Sequence, residues 1–302
     1  MVPTPYPVMN VSGWPIANLE PRGGGPNTWL YSGPGRWLFK PVLTVSWGCQ
    51  GEDWAEKITC EIAKLVGVPC AEIEVAQRHA QRGIISRDLA PPPWELQTGS
   101  VVLSGLLRDY RPGSENLRGR PGHSLGNIKA ALDGMSPPPG CGCPEELGAF
   151  GVFAGYLMLD ALVANRDRHD ENWAVLRPES LDAPDLLCPS YDHGSSLGFN
   201  LMISKQEFYL SENKIEWWAS RGDAYRFDHR PPVKPPTLVE HAHEGLRLAG
   251  TLARTFWLTQ LEHLTRSDVD TVVHRMPGLS DVTRSFIVDL LVINRRRLLD
   301  EC

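Results

Sequence analysis

Clustered positive charge is scarce in this 302-residue chain. Its 30 basic residues face 36 acidic ones for a formal net charge of −6, and the only dense basic run is Arg295-Arg296-Arg297. No cationic stripe for nucleic acid is therefore expected, and the arginine run fits the end of a helix, where cations complement the dipole. Cysteine is sparse as well: the seven are Cys49, Cys60, Cys70, Cys141, Cys143, Cys188 and Cys302, an odd number without the density or spacing of a disulfide framework. A reducing compartment, the cytoplasm, is expected. Cys141-Gly142-Cys143 has no second pair or nearby histidine to complete a four-ligand zinc site, so it reads as a loop. Long apolar runs are also few. The most apolar segment, 147–164, contains Asp160 and three glycines, which suits a buried helix and not a membrane span. Met1 to Asn10 has no basic segment leading into an apolar one, so no secretory signal is expected. No internal repeat occurs.

What is present is a change of texture along the chain. Residues 1–35 are rich in Pro and Gly, with a turn cluster at Gly23-Gly24-Gly25. Arg36 to Lys40 is short and apolar, consistent with a strand carrying Lys40. In 52–66, Trp54, Ile58, Ile62 and Leu65 recur at helical spacing, and Gly67 with Pro69 stops the helix. Glu56, Cys60 and Ala63 form a second stripe that can face inward. Residues 71–76 and 83–86 read as further strands. From Pro91 to Pro144 short apolar pieces alternate with Gly/Pro-rich stretches, predicting an irregular connector with some helix. Beyond it, 145–164, 239–264 and 282–300 have helical periodicity, and 172–176 with 186–192 read as a strand pair.

The sharpest feature is Asn165-Arg166-Asp167-Arg168-His169-Asp170-Glu171-Asn172, followed twenty residues later by Asp192-His193-Gly194. Phosphoryl transfer asks for a carboxylate to orient a nucleophilic oxygen and for oxygen ligands to hold magnesium on a triphosphate. Asp167 can meet an acceptor hydroxyl. Asn172 and Asp192 offer the oxygens that Mg²⁺ prefers. His169 either orients Asp167 or the metal-binding backbone through a ring hydrogen bond, or is structural. Arg166 and Arg168 either help with phosphate charge or are solvated.

The pattern N-x-D-x-H-x-x-N, here Asn165, Asp167, His169 and Asn172, resembles the catalytic loop of the HipA-like kinases, within the protein-kinase-like superfamily. D-R-H-x-x-N is similar to the phosphoinositide kinases too. Trp37-Leu38-Phe39-Lys40-Pro41, Glu52 to Lys57, Gly83 to Asp88 and the 286–299 helix resemble further HipA-like segments, so the likeness spans roughly 36–89 and 145–300. It implies an α+β, bilobal protein-kinase-like fold: a small sheet-plus-helix N-lobe, residues 1–90, for the nucleotide, and a larger helical C-lobe, 91–302, for catalysis and metal. It further implies ATP and Mg²⁺ as cofactors, and Lys40 on the phosphates with Glu56 holding it. Gly23, Gly24 and Gly25 are the candidate phosphate loop, because glycines let backbone N–H groups approach an anion closely; the turn departs from G-x-x-x-x-G-K-[ST] and G-x-G-x-x-G, and a plain flexible turn is the other reading. The adenine is expected near 85–89. The acceptor implied is a protein serine or threonine, with a small-molecule or lipid hydroxyl as the other reading; a nucleotide-binding regulator without turnover is the answer of another class.

Overall fold

The computed structural model describes residues 3–20, 27–45, 48–113, 117–180, 183–230 and 232–300. The first part of the chain builds β1 (Met9–Asn10), β2 (Ile16–Glu20), β3 (Asn27–Ser32) and β4 (Gly35–Pro41). The short pair β5 (Thr44–Val45) and β6 (Gly48–Cys49) follows, then α1 (Glu52–Leu65), β7 (Ile73–Arg78) and β8 (Gln81–Arg87). Six strands form one sheet in the order β1-β7-β8-β4-β3-β2. All neighbours are antiparallel except β1 beside β7.

Alternation along β4 decides what Lys40 can reach, because successive side chains point to opposite faces of a strand. Phe39 packs with Leu30 and Ile85 on one face. Lys40 lies opposite Ile84, and Ile84 packs with Cys60 of α1, so the lysine emerges on the helix-covered face. Gly83 makes the approach of β8 to β4 possible there: a Cβ at that position would sit 2.2 Å from the Lys40 carbonyl oxygen. In α1 the expected inward stripe is present, with Glu56, Cys60 and Ala63 all buried. Trp54, Ile58 and Ile62 are buried too, whereas Leu65, at the end of the helix, is exposed.

The second part is mainly helical. It comprises β9 (Trp94–Thr98), α2 (Gly99–Leu106), α3 (Leu125–Ala131), α4 (Gly148–Leu162), β10 (Ala174–Pro178), β11 (Leu186–Leu187), α5 (Ile203–Ser211), α6 (Ile215–Ala219), α7 (Leu238–Ala249), α8 (Thr251–His263), α9 (Arg266–His274) and α10 (Asp281–Asp300). Helix α4 is the axis of this region: every residue after Gly148 is buried, with α7, α8 and α10 packed around it. Its glycines serve close packing, since a Cβ on Gly155 would lie 2.5 Å from the Trp257 ring. Each large apolar side chain so buried contributes about 1.5–3 kcal/mol. Among the described residues no helix is long and apolar enough to cross a membrane.

Several elements differ from the sequence expectation. The 91–144 connector holds a real strand, β9, which pairs with β10 in a three-stranded sheet of order β11-β10-β9. The helical periodicity over 239–264 is realised as two helices, because Gly250 at φ +95° turns the chain between α7 and α8. Helices α5, α6 and α9 had no recognised signal, although α9 opens with a capping box of Thr265 and Asp268. Cys141 and Cys143, read as a plain loop, are joined by a disulfide across Gly142.

Candidate active site

The site lies where the α1 face of the sheet meets the loops that follow α4 and β11. Lys40 Nζ reaches Asp192 Oδ1 at 2.8 Å and Glu56 Oε1 at 3.4 Å. Three separate elements thus converge on one ammonium. Burial alone would lower the Lys40 pKa, but the two carboxylates more than offset it and raise the group, so it is charged. Its ammonium in turn holds the Asp192 carboxyl down at about 2. Burial pushes Glu56 up against the opposing pull of Lys40. Asp192 has φ +60°, the left-handed conformation that Asp tolerates better than most residues. The turn that this produces brings its half-exposed carboxylate to Lys40.

The Asp192-His193-Gly194 segment is tied to α1 from below. The His193 backbone N–H donates to Glu56 Oε2 at 2.9 Å, so one carboxylate grips both the lysine and the loop. The His193 ring is buried, and desolvation holds its pKa well below the usual range. As a neutral ring its Nε2 accepts from Ser190 Oγ at 2.8 Å and faces Arg168 Nη2 at 3.3 Å.

The Asn165–Asn172 loop folds on itself. Ala164, at φ +55°, reverses the chain after α4. Asn165 Oδ1 accepts from the Asp167 N–H at 3.1 Å, and its Nδ2 donates to Asp160 Oδ1 at 2.8 Å. The Asp167 carbonyl accepts from His169 N–H and from Asn172 Nδ2, both at 2.8 Å. Anchoring Asn172 through its nitrogen fixes the orientation of the amide oxygen. Arg168 is not solvated. It is 2 % exposed and clasps Asp160 with two bonds of 2.8 and 2.7 Å, while Nη1 donates to the Asn172 carbonyl at 2.6 Å. Arg166 is exposed and pairs with Asp223.

The Asp167 carboxylate itself meets two groups that sequence reasoning did not identify. Arg226 contacts Oδ1 through Nε at 2.7 Å and Nη2 at 2.5 Å, and Ser195 Oγ lies 3.4 Å from Oδ2. Arg226 is 59 residues away, and no local pattern marks it. His169 accepts the Glu171 N–H on Nδ1 at 3.2 Å; burial lowers its pKa, opposed by the nearby Asp167 and Asp192 carboxylates. Its ring therefore braces the loop backbone. The structure brings Lys40, Glu56 and Asp192 into direct contact, and it links Asp167, His169 and Asn172 within one loop. Gly23, Gly24 and Gly25 lie outside the described residues. Among those residues, no group of three His, Cys, Asp or Glu side chains is placed to hold a metal ion.

No protein-family model and no curated protein sequence matches the chain. Solved structures do match in fold. The chain is similar to the Helicobacter pylori proinflammatory kinase CtkA, with a TM-score of 0.72 and 16 % identity over 97 % of this chain and 96 % of that one. It is also similar to a chain of the Shewanella oneidensis MR-1 toxin–antitoxin complex of HipA, HipB and operator DNA. There the TM-score is 0.54 and the identity 14 %, over 98 % of this chain and 67 % of that one. The architecture is thus the mixed α+β, kinase-like fold of CtkA and HipA.

Proposed function

We propose that the protein is an ATP- and Mg²⁺-dependent phosphotransferase of the HipA-like type, acting on a serine or threonine hydroxyl of a protein. The observation that carries this reading is the convergence of Lys40, Glu56 and Asp192, from β4, α1 and the loop after β11, on a fold shared with CtkA and HipA. Lys40 would exchange part of its hold on Asp192 for phosphate oxygens, keeping Glu56 as its anchor. Asp192 and the Asn172 oxygen fit Mg²⁺: hard oxygen donors, one of them ionised at any physiological pH, with few protein ligands. When bound, the ion supplies neutralisation of the phosphate charge.

The chain's own groups then do the following. Asp167 accepts a hydrogen bond from the acceptor hydroxyl and takes its proton as the oxygen bonds to the γ-phosphorus. The bond from that phosphorus to the β–γ bridging oxygen breaks, and ADP leaves with the electron pair. Arg226 is the positioning residue for Asp167, holding one oxygen so that the other faces the acceptor. Incubation with γ-labelled ATP and a cell lysate tests the proposal: label should appear on protein and disappear with Asp167→Ala or Asp192→Ala, both folded by circular dichroism. Label confined to lipids or small molecules would replace the acceptor assignment. Bound ATP with no transfer to any acceptor would replace the enzyme reading with that of a nucleotide-binding regulator.

A further inference from the structure

Beside Asp167 the molecule gathers three arginines around one ring. The guanidinium carbons of Arg118, Arg226 and Arg166 lie 4.6, 4.9 and 5.2 Å from the centroid of Tyr225. Arg226 is turned to Asp167 and Arg166 to Asp223. Arg118 is exposed and pairs with no carboxylate among the described residues. Asp228, the next acidic side chain in this segment, is occupied by the Gly122 N–H at 2.8 Å. Asp167 and Asp223 each engage one of the three guanidinium groups, which leaves Arg118 exposed on the ring without a carboxylate among the described residues.

Contacts from several segments brace the platform. Gly119 N–H donates to the Tyr225 carbonyl at 2.7 Å, joining the Arg118 strand of chain to the Tyr225 one. Gly119 sits at φ +62°, and a Cβ there would meet the His229 carbonyl at 2.7 Å. Buried His123 faces the Arg226 carbonyl with Nδ1 at 3.2 Å and accepts from Trp173 Nε1 at 3.1 Å. Phe227 packs against the His123 and His241 rings. All three arginines belong to the region after the sheet, whereas Lys40 stands on β4. The cluster is thus on the side of Asp167 served by the helical region.

We propose that Arg118 and Arg166, set on Tyr225, form an acceptor subsite that selects a peptide hydroxyl flanked by an anionic side chain. This rests on the reading of Asp167 as the group that meets the acceptor hydroxyl. Guanidinium forks recognise carboxylate and phosphate in a way that ammonium groups do not, and the tyrosine face holds them splayed toward the incoming chain.

The test reads binding without turnover. Fluorescent nonapeptides with a central serine, flanked by Glu, phosphoserine, Gln or Lys, are titrated by anisotropy at low and high salt. The anionic peptides should bind roughly 3- to 10-fold tighter than the Gln peptide at low salt, as one or two exposed ion pairs supply, with the gap closing as salt rises. Arg118→Ala and, separately, Arg166→Gln should each bring that ratio toward one. Equal binding of Glu, Gln and Lys peptides would overturn the proposal. So would variants that weaken ATP binding while the peptide ratio persists, since the cluster would then serve the nucleotide. Preference for vesicles of anionic lipid over every peptide would overturn the peptide assignment. Because no phosphate transfer is measured, failure here is distinct from failure of the kinase reading.

Discussion

Arg168→Met tests whether the candidate catalytic loop is held by a buried ion pair. Arg168 and Asp160 are 2 % and 4 % exposed, and the arginine makes two bonds to the carboxylate, one to the Asn172 carbonyl and one to Ser190 Oγ. Methionine keeps much of the stem volume but leaves Asp160 charged in the core with Asn165 as its remaining side-chain donor. Breaking one partner of such a pair costs about 3–5 kcal/mol. Asp160→Asn with Arg168→Met removes both charges, and what is then missing is the contacts to three neutral acceptors, Asn172 O, Ser190 Oγ and His193 Nε2, together worth about 2 kcal/mol. The double variant should therefore be more stable than Arg168→Met by roughly 1–3 kcal/mol, a coupling that urea unfolding at pH 7 resolves. The double variant should nonetheless lose phosphate transfer, because the Asn172 carbonyl has lost its donor and the loop its brace. An Arg168→Met protein within about 1 kcal/mol of wild type, or a double variant no more stable than the single, would refute the argument.

Four further outcomes are expected. Lys40→Met should cut labelled-phosphate transfer by two orders of magnitude or more, and Glu56→Gln less, since Lys40 keeps Asp192; the transfer assay compares them directly. Arg226→Ala should lower kcat more than the KM for ATP, with Arg226→Lys restoring part of it, because the group acts through Asp167. Gly83→Ala should weaken ATP binding in calorimetry through displacement of the Lys40 backbone, whose oxygen the new methyl would meet at 2.2 Å. Stability should fall on acidification: burial holds His123 at about 4 and His241 at about 3, below the usual 6.5, so the unfolded chain binds protons first as pH drops. The contribution is complete above pH 6.5 and is lost as pH falls toward 4, about 3 kcal/mol for His123 alone; urea titrations at pH 7 and 5 should show the decline, and His123→Gln should flatten it.

Motifs, periodicity and the family resemblance singled out the residues that the structure gathers around Lys40. Lys40 could be placed on a strand because Arg36 to Lys40 is short, apolar and bounded by turn residues; Glu56 could be placed on an inward helix stripe because Cys60 and Ala63 follow at helical spacing. Asp167, Asn172 and Asp192 could be picked out because their spacing suits one chemistry, and the α+β, bilobal fold is what the resemblance to the HipA-like kinases implied. Tertiary structure alone decided the rest. Nothing local says that Arg226 meets Asp167 or that Arg118, Arg166 and Tyr225 share one surface, since these contacts are set by how distant segments are braced by His123, Trp173 and Phe227. Arg168 looks solvated in sequence because charged residues usually are; its burial depends on Asp160, eight positions earlier on α4, arriving with a carboxylate that only packing could place there. Strand β9 was hidden for the same reason. Its partner β10 lies about eighty residues on, and a strand's pairing energy is realised only when that partner is present.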